Sequence, residues 1–171
     1  MKHIMDEFQR VALAHPSIYF TLIHNGSENY NLPSSNYRQR IVNILGGRTN
    51  EKLVPVSEDT EIVTISGFVG KPEYAKKSRS EQFFFVNDRF IKSGYLHHAI
   101  MSAFDGLLKE GNQPSYFLYL KVKANEYQKV LRIDSNITKN FINKNIFSHL
   151  FFVMEMEKKS DLHFWMNQID R

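Results

Sequence analysis

Cysteine is missing from all 171 residues. That excludes disulfides, thiolate metal sites and cysteine nucleophiles, and it fits a reducing compartment. Long apolar runs are missing too: the longest, residues 146–156, falls well short of the ~20 needed to span a bilayer. The opening "MKHIMDEFQR" has acids and no apolar h-region, so it is no secretory signal. No G-x-S-x-G elbow is present. No P-loop is present either, because Gly46-Gly47-Arg48-Thr49 lacks the lysine and the leading glycine of a phosphate cradle. That stretch reads as a helix stop. Internal repeats, low-complexity tracts and Gly/Ser linkers are absent, which argues for one domain. These absences predict a cytoplasmic domain that does not enter a membrane.

What is present points to a folded globule. Hydrophobic residues make up 42% and aromatic residues 13%, too rich for disorder. The formal net charge of +4 is compatible with a polyanionic partner without requiring one. Ile4, Phe8, Val11 and Ala12 share a helical face that Pro16 ends. Residues 18–23 are β-branched and aromatic, and Asn25-Gly26 turns them into a second extended piece ending at Pro33. Ser34 or Ser35 is expected to cap a helix carrying Tyr37, Ile41, Ile44 and Leu45. Residues 61–69 alternate as a strand, and residues 116–122 form another. Between them, Phe83, Phe84, Phe85 and Val86 read as a strand covered on both faces, and Asn87-Asp88 turns it into Arg89-Phe90-Ile91-Lys92. Ser93 caps a helix with Leu96, Ile100, Ala103, Phe104 and Leu107 inward, stopping near Gly111. Residues 130–133 suggest a short strand and residues 146–156 a buried helix segment. The class is α+β or α/β, with the strand order left open by pattern alone.

The basic residues carry the functional question. Lys71, Lys76, Lys77 and Arg79 precede the triple-phenylalanine strand, and Arg89 and Lys92 follow its turn. Strand pairing can gather the two groups on one edge, where they would neutralise phosphates. The plain alternative is a solvated rim. Adjacent His97 and His98 point to different helix faces and cannot chelate one metal together.

Residues 66–100, "SGFVGKPEYAKKSRSEQFFFVNDRFIKSGYLHHAI", resemble the MutL family of DNA mismatch-repair proteins. Gly67, Pro72, Arg79, Gln82, Val86, Asn87 and Arg89 occupy the family pattern, and "FQRVALAHPSIYFTLIHNG", "YRQRIVNILG" and "LVPV" agree with it elsewhere. The resemblance covers residues 2–122 and is to the second, transducer-like domain of the N-terminal ATPase half. It implies an α+β fold: a mixed sheet with helices on one side, shared with the gyrase transducer and a small-subunit ribosomal protein domain. It also implies a module that helps bind DNA non-specifically and relays the nucleotide state of an adjacent GHKL ATPase domain. The implied DNA-binding residues are Lys76, Lys77, Arg79, Arg89 and Lys92.

The resemblance assigns no catalytic, cofactor or metal residue to this chain, since none of the GHKL signatures occurs in it. ATP and Mg, dimerisation through other domains, and a MutS-type mismatch-recognition partner belong to the full-length family protein. The family's Asp-Val-Asn-x-His-Pro-x-Lys segment should follow residue 122, where this chain reads "KANEYQKVLRIDSNITKNFINKN". Residues 1–123 are therefore read as the transducer-like domain and residues 124–171 as an unassigned extension of it. That Met1 opens directly on a helix suggests a piece of a longer protein. Two other readings stay open: half of a small-molecule kinase of the same fold, and a structural domain that touches no nucleic acid.

Overall fold

The computed structural model describes residues 1–60 and 63–122. The elements run α1 (Lys2–Ala14), β1 (Phe20–His24), β2 (Ser27–Leu32), α2 (Tyr37–Leu45), β3 (Leu53–Asp59), β4 (Val63–Gly70), β5 (Gln82–Val86), β6 (Arg89–Ile91), α3 (Gly94–Ala103) and β7 (Tyr116–Val122). β1 and β2 form a separate hairpin, and the other strands make one sheet in the order β3-β4-β7-β5-β6. β5 runs parallel to β7, while every other neighbouring pair is antiparallel. The strand at residues 130–133, the helix segment at 146–156 and the extension 124–171 lie outside the described residues.

The α+β class and the mixed sheet are as the sequence implies, but the helices divide between the two faces. Along β7, Tyr116, Leu118 and Leu120 pack with Leu96 and Ile100 of α3, while Phe117 and Tyr119 pack with Leu13 of α1 and Ile41 of α2. β5 alternates the same way: Phe84 joins the α3 side, and Phe83 and Phe85 the α1/α2 side. Strands apolar on both faces leave neither face for water, so one layer of helices could not have sufficed. Phe83 stacks on Phe117 with ring centroids 5.4 Å apart, and Phe85 on Tyr119 at 4.9 Å. β5 is thus an interior strand, next to the central β7, as expected of an exposed-edge hazard kept inside.

Phe84 is 3% exposed against Tyr116, whose ring lies 4.8 Å away. Phe84→Ala should cost about 3 kcal/mol, the lower end for a buried phenylalanine. Urea denaturation reads this directly, and a loss below about 1 kcal/mol would place the ring outside the core.

Three local details differ from expectation. α2 is capped by Asn36, whose Oδ1 accepts from the Gln39 N–H at 2.8 Å, and not by Ser34 or Ser35. α3 is capped by Ser93 as expected but ends at Ala103, because Gly106 at φ 72° turns the chain away. Leu107 still packs on the core from beyond the helix. β3 is an additional strand with Pro55 at its middle; it lies at the sheet edge, where a missing N–H breaks no ladder.

Candidate nucleic-acid interface

The edge opposite β3 is β6, and its geometry follows from a two-residue turn. Val86 pairs with Arg89, leaving Asn87 and Asp88 as the loop with φ of 46° and 63°. This primed turn matches the twist of the strands it joins. Asn87 is also fastened to the sheet: its N–H donates to Leu120 O at 2.9 Å and its Oδ1 accepts from the Val122 N–H at 2.9 Å. Arg89 is therefore presented, exposed, at a tip that is fastened to β7.

Lys92 lies at the other end of the same strand. Phe84 pairs with Ile91, so the chain leaves β6 beside the start of β5, where Arg79 arrives. Three residues at about 3.3 Å each separate Arg89 from Lys92 by about 10 Å along the edge. Arg79 and Lys92 come together at one end, and Arg89 stands alone at the other.

The loop bearing Arg79 is anchored. Lys76 and Gln113 exchange backbone hydrogen bonds at 3.2 and 2.7 Å, and the Glu81 carboxylate accepts from Ser115 Oγ at 2.8 Å. Lys76 itself is ion-paired with Glu81 and lines a separate small cleft with Arg48 and Lys52. Lys77 is exposed and lies in neither cleft. Of the five residues implied by the sequence, Arg79 and Lys92 share a cleft with each other.

That cleft, about 650 Å³, opens between α1, the 78–80 loop and the β6–α3 junction. Lys2 and Arg10 of α1 line it beside Arg79 and Lys92, and Asp6 is the one carboxylate in its wall. Arg10 lies 4.5 Å over the Phe90 ring and is ion-paired with Glu7. His97 also faces it, with Nδ1 3.1 Å from Tyr116 Oη. Burial first, then the charge of Arg79 and then His98, hold the His97 pKa below its ordinary value. Burial likewise pushes the Tyr116 hydroxyl well above the usual tyrosine range.

Sequence reasoning missed Lys2, Arg10 and His97. The first two were visible as the i, i+4, i+8 row Lys2, Asp6, Arg10 on one helical face. What brings that row to Lys92 is tertiary packing of α1 near β6, which no local pattern encodes.

Gly46 closes α2 with its N–H donating to Val42 O at 2.8 Å, so the one paired-glycine stretch is committed to a helix end. Among the described residues no group of three or more His, Asp or Glu could hold a metal, and no helix is long and apolar enough to cross a membrane.

The fold is that of a domain found in DNA-repair ATPases. It superimposes on a structure titled the N-terminal domain of a DNA repair protein with a TM-score of 0.59, at 17% identity, covering 70% of this chain and 41% of that one. A MutL ATPase domain from Aquifex aeolicus complexed with ADP gives a TM-score of 0.52, at 17% identity, covering 77% and 45%. The family described as "DNA mismatch repair protein, C-terminal domain" matches residues 41–140. The DNA mismatch repair protein MutL of Flavobacterium johnsoniae is 75% identical over 124 residues, 72% of this chain and 19% of that protein. That of Phocaeicola vulgatus is 46% identical over 122 residues, 71% of this chain and 20% of that protein. The chain belongs to the MutL family of DNA mismatch-repair proteins, and it spans about a fifth of the length of these relatives.

Proposed function

We propose that this chain is the transducer part of a MutL ATPase half: it supplies one wall of a DNA-binding groove and passes on the nucleotide state of an adjoining domain. The observation that carries the reading is the β6 edge. Arg89, Lys92 and Arg79 are exposed along it, and none of them has an ion-pair partner among the described residues. Duplex DNA carries about six phosphate charges over the ~10 Å between Arg89 and Lys92, so both ends of the edge can meet the backbone at once. Lys77 adds a further exposed cation, whereas Lys76 contributes less because Glu81 already neutralises it. In the whole protein, ATP and Mg would sit in the adjoining domain, and a MutS-type mismatch-recognition protein and a second copy would be the partners. The ADP bound by the Aquifex ATPase domain supports a nucleotide there. The chain itself contributes no ATP pocket and no catalysis.

Such contacts read phosphates and not bases. Binding should be weak, about 10⁻⁴ to 10⁻⁶ M at physiological salt, and indifferent to sequence. Arg89→Glu combined with Lys92→Glu should weaken binding to every duplex equally and flatten the log K against log salt slope by about 0.9 per lost contact. Fluorescence anisotropy at several salt concentrations measures both. An unchanged affinity and slope in the doubly reversed protein would leave these cations as rim.

A further inference from the structure

The cleft beside Lys92 holds more charge than the edge alone requires. Lys2 and Arg10 come from α1, Arg79 from the 78–80 loop and Lys92 from the end of β6, with Asp6 the one opposing carboxylate in the wall. Neither Lys2, Arg79 nor Lys92 has an ion-pair partner among the described residues. Arg10 is offset by its ion pair with Glu7, but the other three cations converging on one concavity repel each other, and an anion placed among them relieves that repulsion. A duplex is too wide to enter a space of this size, but a backbone phosphate at the duplex surface can reach its mouth. His97 is the titratable group best placed to respond. Its ring is half-buried, hydrogen-bonded to Tyr116, and close enough to Arg79 to feel that charge.

We propose that this cleft is a phosphodiester site on the DNA-facing wall, in which Lys2, Arg10, Arg79 and Lys92 hold a backbone phosphate and His97 takes up a proton as it binds. The proposal rests on the groove reading above and goes beyond it by adding α1 and a proton. Without the phosphate, burial and Arg79 keep His97 neutral near pH 7. A phosphodiester remains charged across this range and favours the imidazolium. The proton then sits on Nδ1, which donates to Tyr116 Oη and leaves the tyrosine hydroxyl hydrogen free to turn toward the anion. The other charged and titratable groups around His97 are Lys2, Asp6 and Arg10 of α1, Arg79 of the loop, Lys92 after β6, His98 of α3 and Tyr116 of β7. Asp6 is the one whose own protonation would mimic the effect, so it needs a control.

The sign follows from linkage. Since binding takes up a proton, affinity rises as pH falls toward the free-state His97 range, by at most tenfold per pH unit for a single proton. Anisotropy titration of a labelled duplex with the 171-residue chain, at fixed ionic strength, should show about three- to tenfold tighter binding at pH 5.5 than at pH 7.5. His97→Gln, which can keep a hydrogen bond to Tyr116, should abolish that pH dependence while largely preserving affinity at pH 7.5. Asp6→Asn should retain it. Lys2→Gln should weaken binding and flatten the salt slope by about 0.9. In the unaltered chain, the NMR titration midpoint of His97 should move up when DNA is added, a readout that needs no variant to fold. If His97→Gln keeps the parent's pH dependence, or the midpoint stays put, the proton site is wrong. If Lys2→Gln binds with the parent's affinity and slope, α1 is no part of the wall. Either failure, with the Arg89/Lys92 reversal still effective, removes the cleft and leaves the groove. If that reversal is without effect, or no DNA binds at all, groove and cleft fall together.

Discussion

Gly67→Ala should leave the chain largely unfolded at room temperature. Gly67 lies within β4, paired with Val56 of β3 on one side and Leu118 of β7 on the other. Its φ is +142°, a backbone conformation that residues with a side chain rarely adopt. A Cβ built there would come 2.0 Å from Phe117 O, with Phe117 C at 3.0 Å and Leu118 Cα at 3.1 Å. All three are backbone atoms of the central strand, so no side chain can swing aside. Relief requires β4 and β7 to separate, which breaks their hydrogen bonds and opens the core that Ile65 and Leu118 share. Backbone strain of about 1–3 kcal/mol and overpacking of another 1–3 or more add up to a substantial part of a typical domain's stability. Gly47→Ala is the matched control, because nothing lies within 4 Å of the Cβ it would add. Urea denaturation followed by far-UV circular dichroism compares the two. A Gly67→Ala protein within about 1 kcal/mol of the parent would mean the β4–β7 approach is looser than described.

This glycine also shows how much the sequence disclosed. The run Phe83-Phe84-Phe85-Val86 signalled a strand buried on both faces, and it is one. Asn25-Gly26 and Asn87-Asp88 signalled two-residue turns, and both have positive φ at each position. Local chemistry suffices there, because the signal and the structure lie within a few residues of each other. It did not suffice for β3, whose Pro55 argues against a strand until its edge position is known. Nor did it show that α3 lies across the sheet from α1 and α2. At the candidate site, the register of one short hairpin separated cations that looked adjacent: Lys92 went with Arg79, and Arg89 to the far end. Lys2 and Arg10 were hidden because their neighbours in space are about 70 to 90 residues away in the chain.

Arg40→Met should cost about 3–5 kcal/mol and loosen the β1–β2 hairpin before the main sheet. Arg40 is fully buried at 0% exposure, without any acid paired to it among the described residues. Its Nη2 donates to Pro16 O at 2.7 Å, Ile18 O at 2.6 Å and Pro33 O at 3.0 Å, and its guanidinium lies 5.5 Å over the Phe20 ring. Those carbonyls belong to the segment leaving α1 and the segment leaving β2, so one nitrogen of α2 ties both ends of the hairpin to the helix. Burial pushes the Arg40 pKa down from its ordinary value, but arginine starts so high that it stays charged at neutral pH. Two effects of opposite sign decide the outcome of its removal. Methionine recovers the desolvation cost of a guanidinium whose Nε and Nη1 have no hydrogen-bond partner. It also takes this donor from the Ile18 and Pro33 carbonyls, at about 1–3 kcal/mol each where buried, while Pro16 O keeps the Ser35 N–H at 2.9 Å. The second effect is larger, because two carbonyls lose this donor while a single charge is relieved. Arg40→Lys keeps the charge and can still aim donors at the carbonyls, but on a stem that lacks the guanidinium's planar fork, so its cost should be roughly half. Chemical denaturation ranks the three proteins. Amide exchange at Leu22 and Tyr30, paired across the hairpin, shows whether that unit opens first. If Arg40→Met is as stable as the parent, the bonds to the three carbonyls merely offset the burial of the charge.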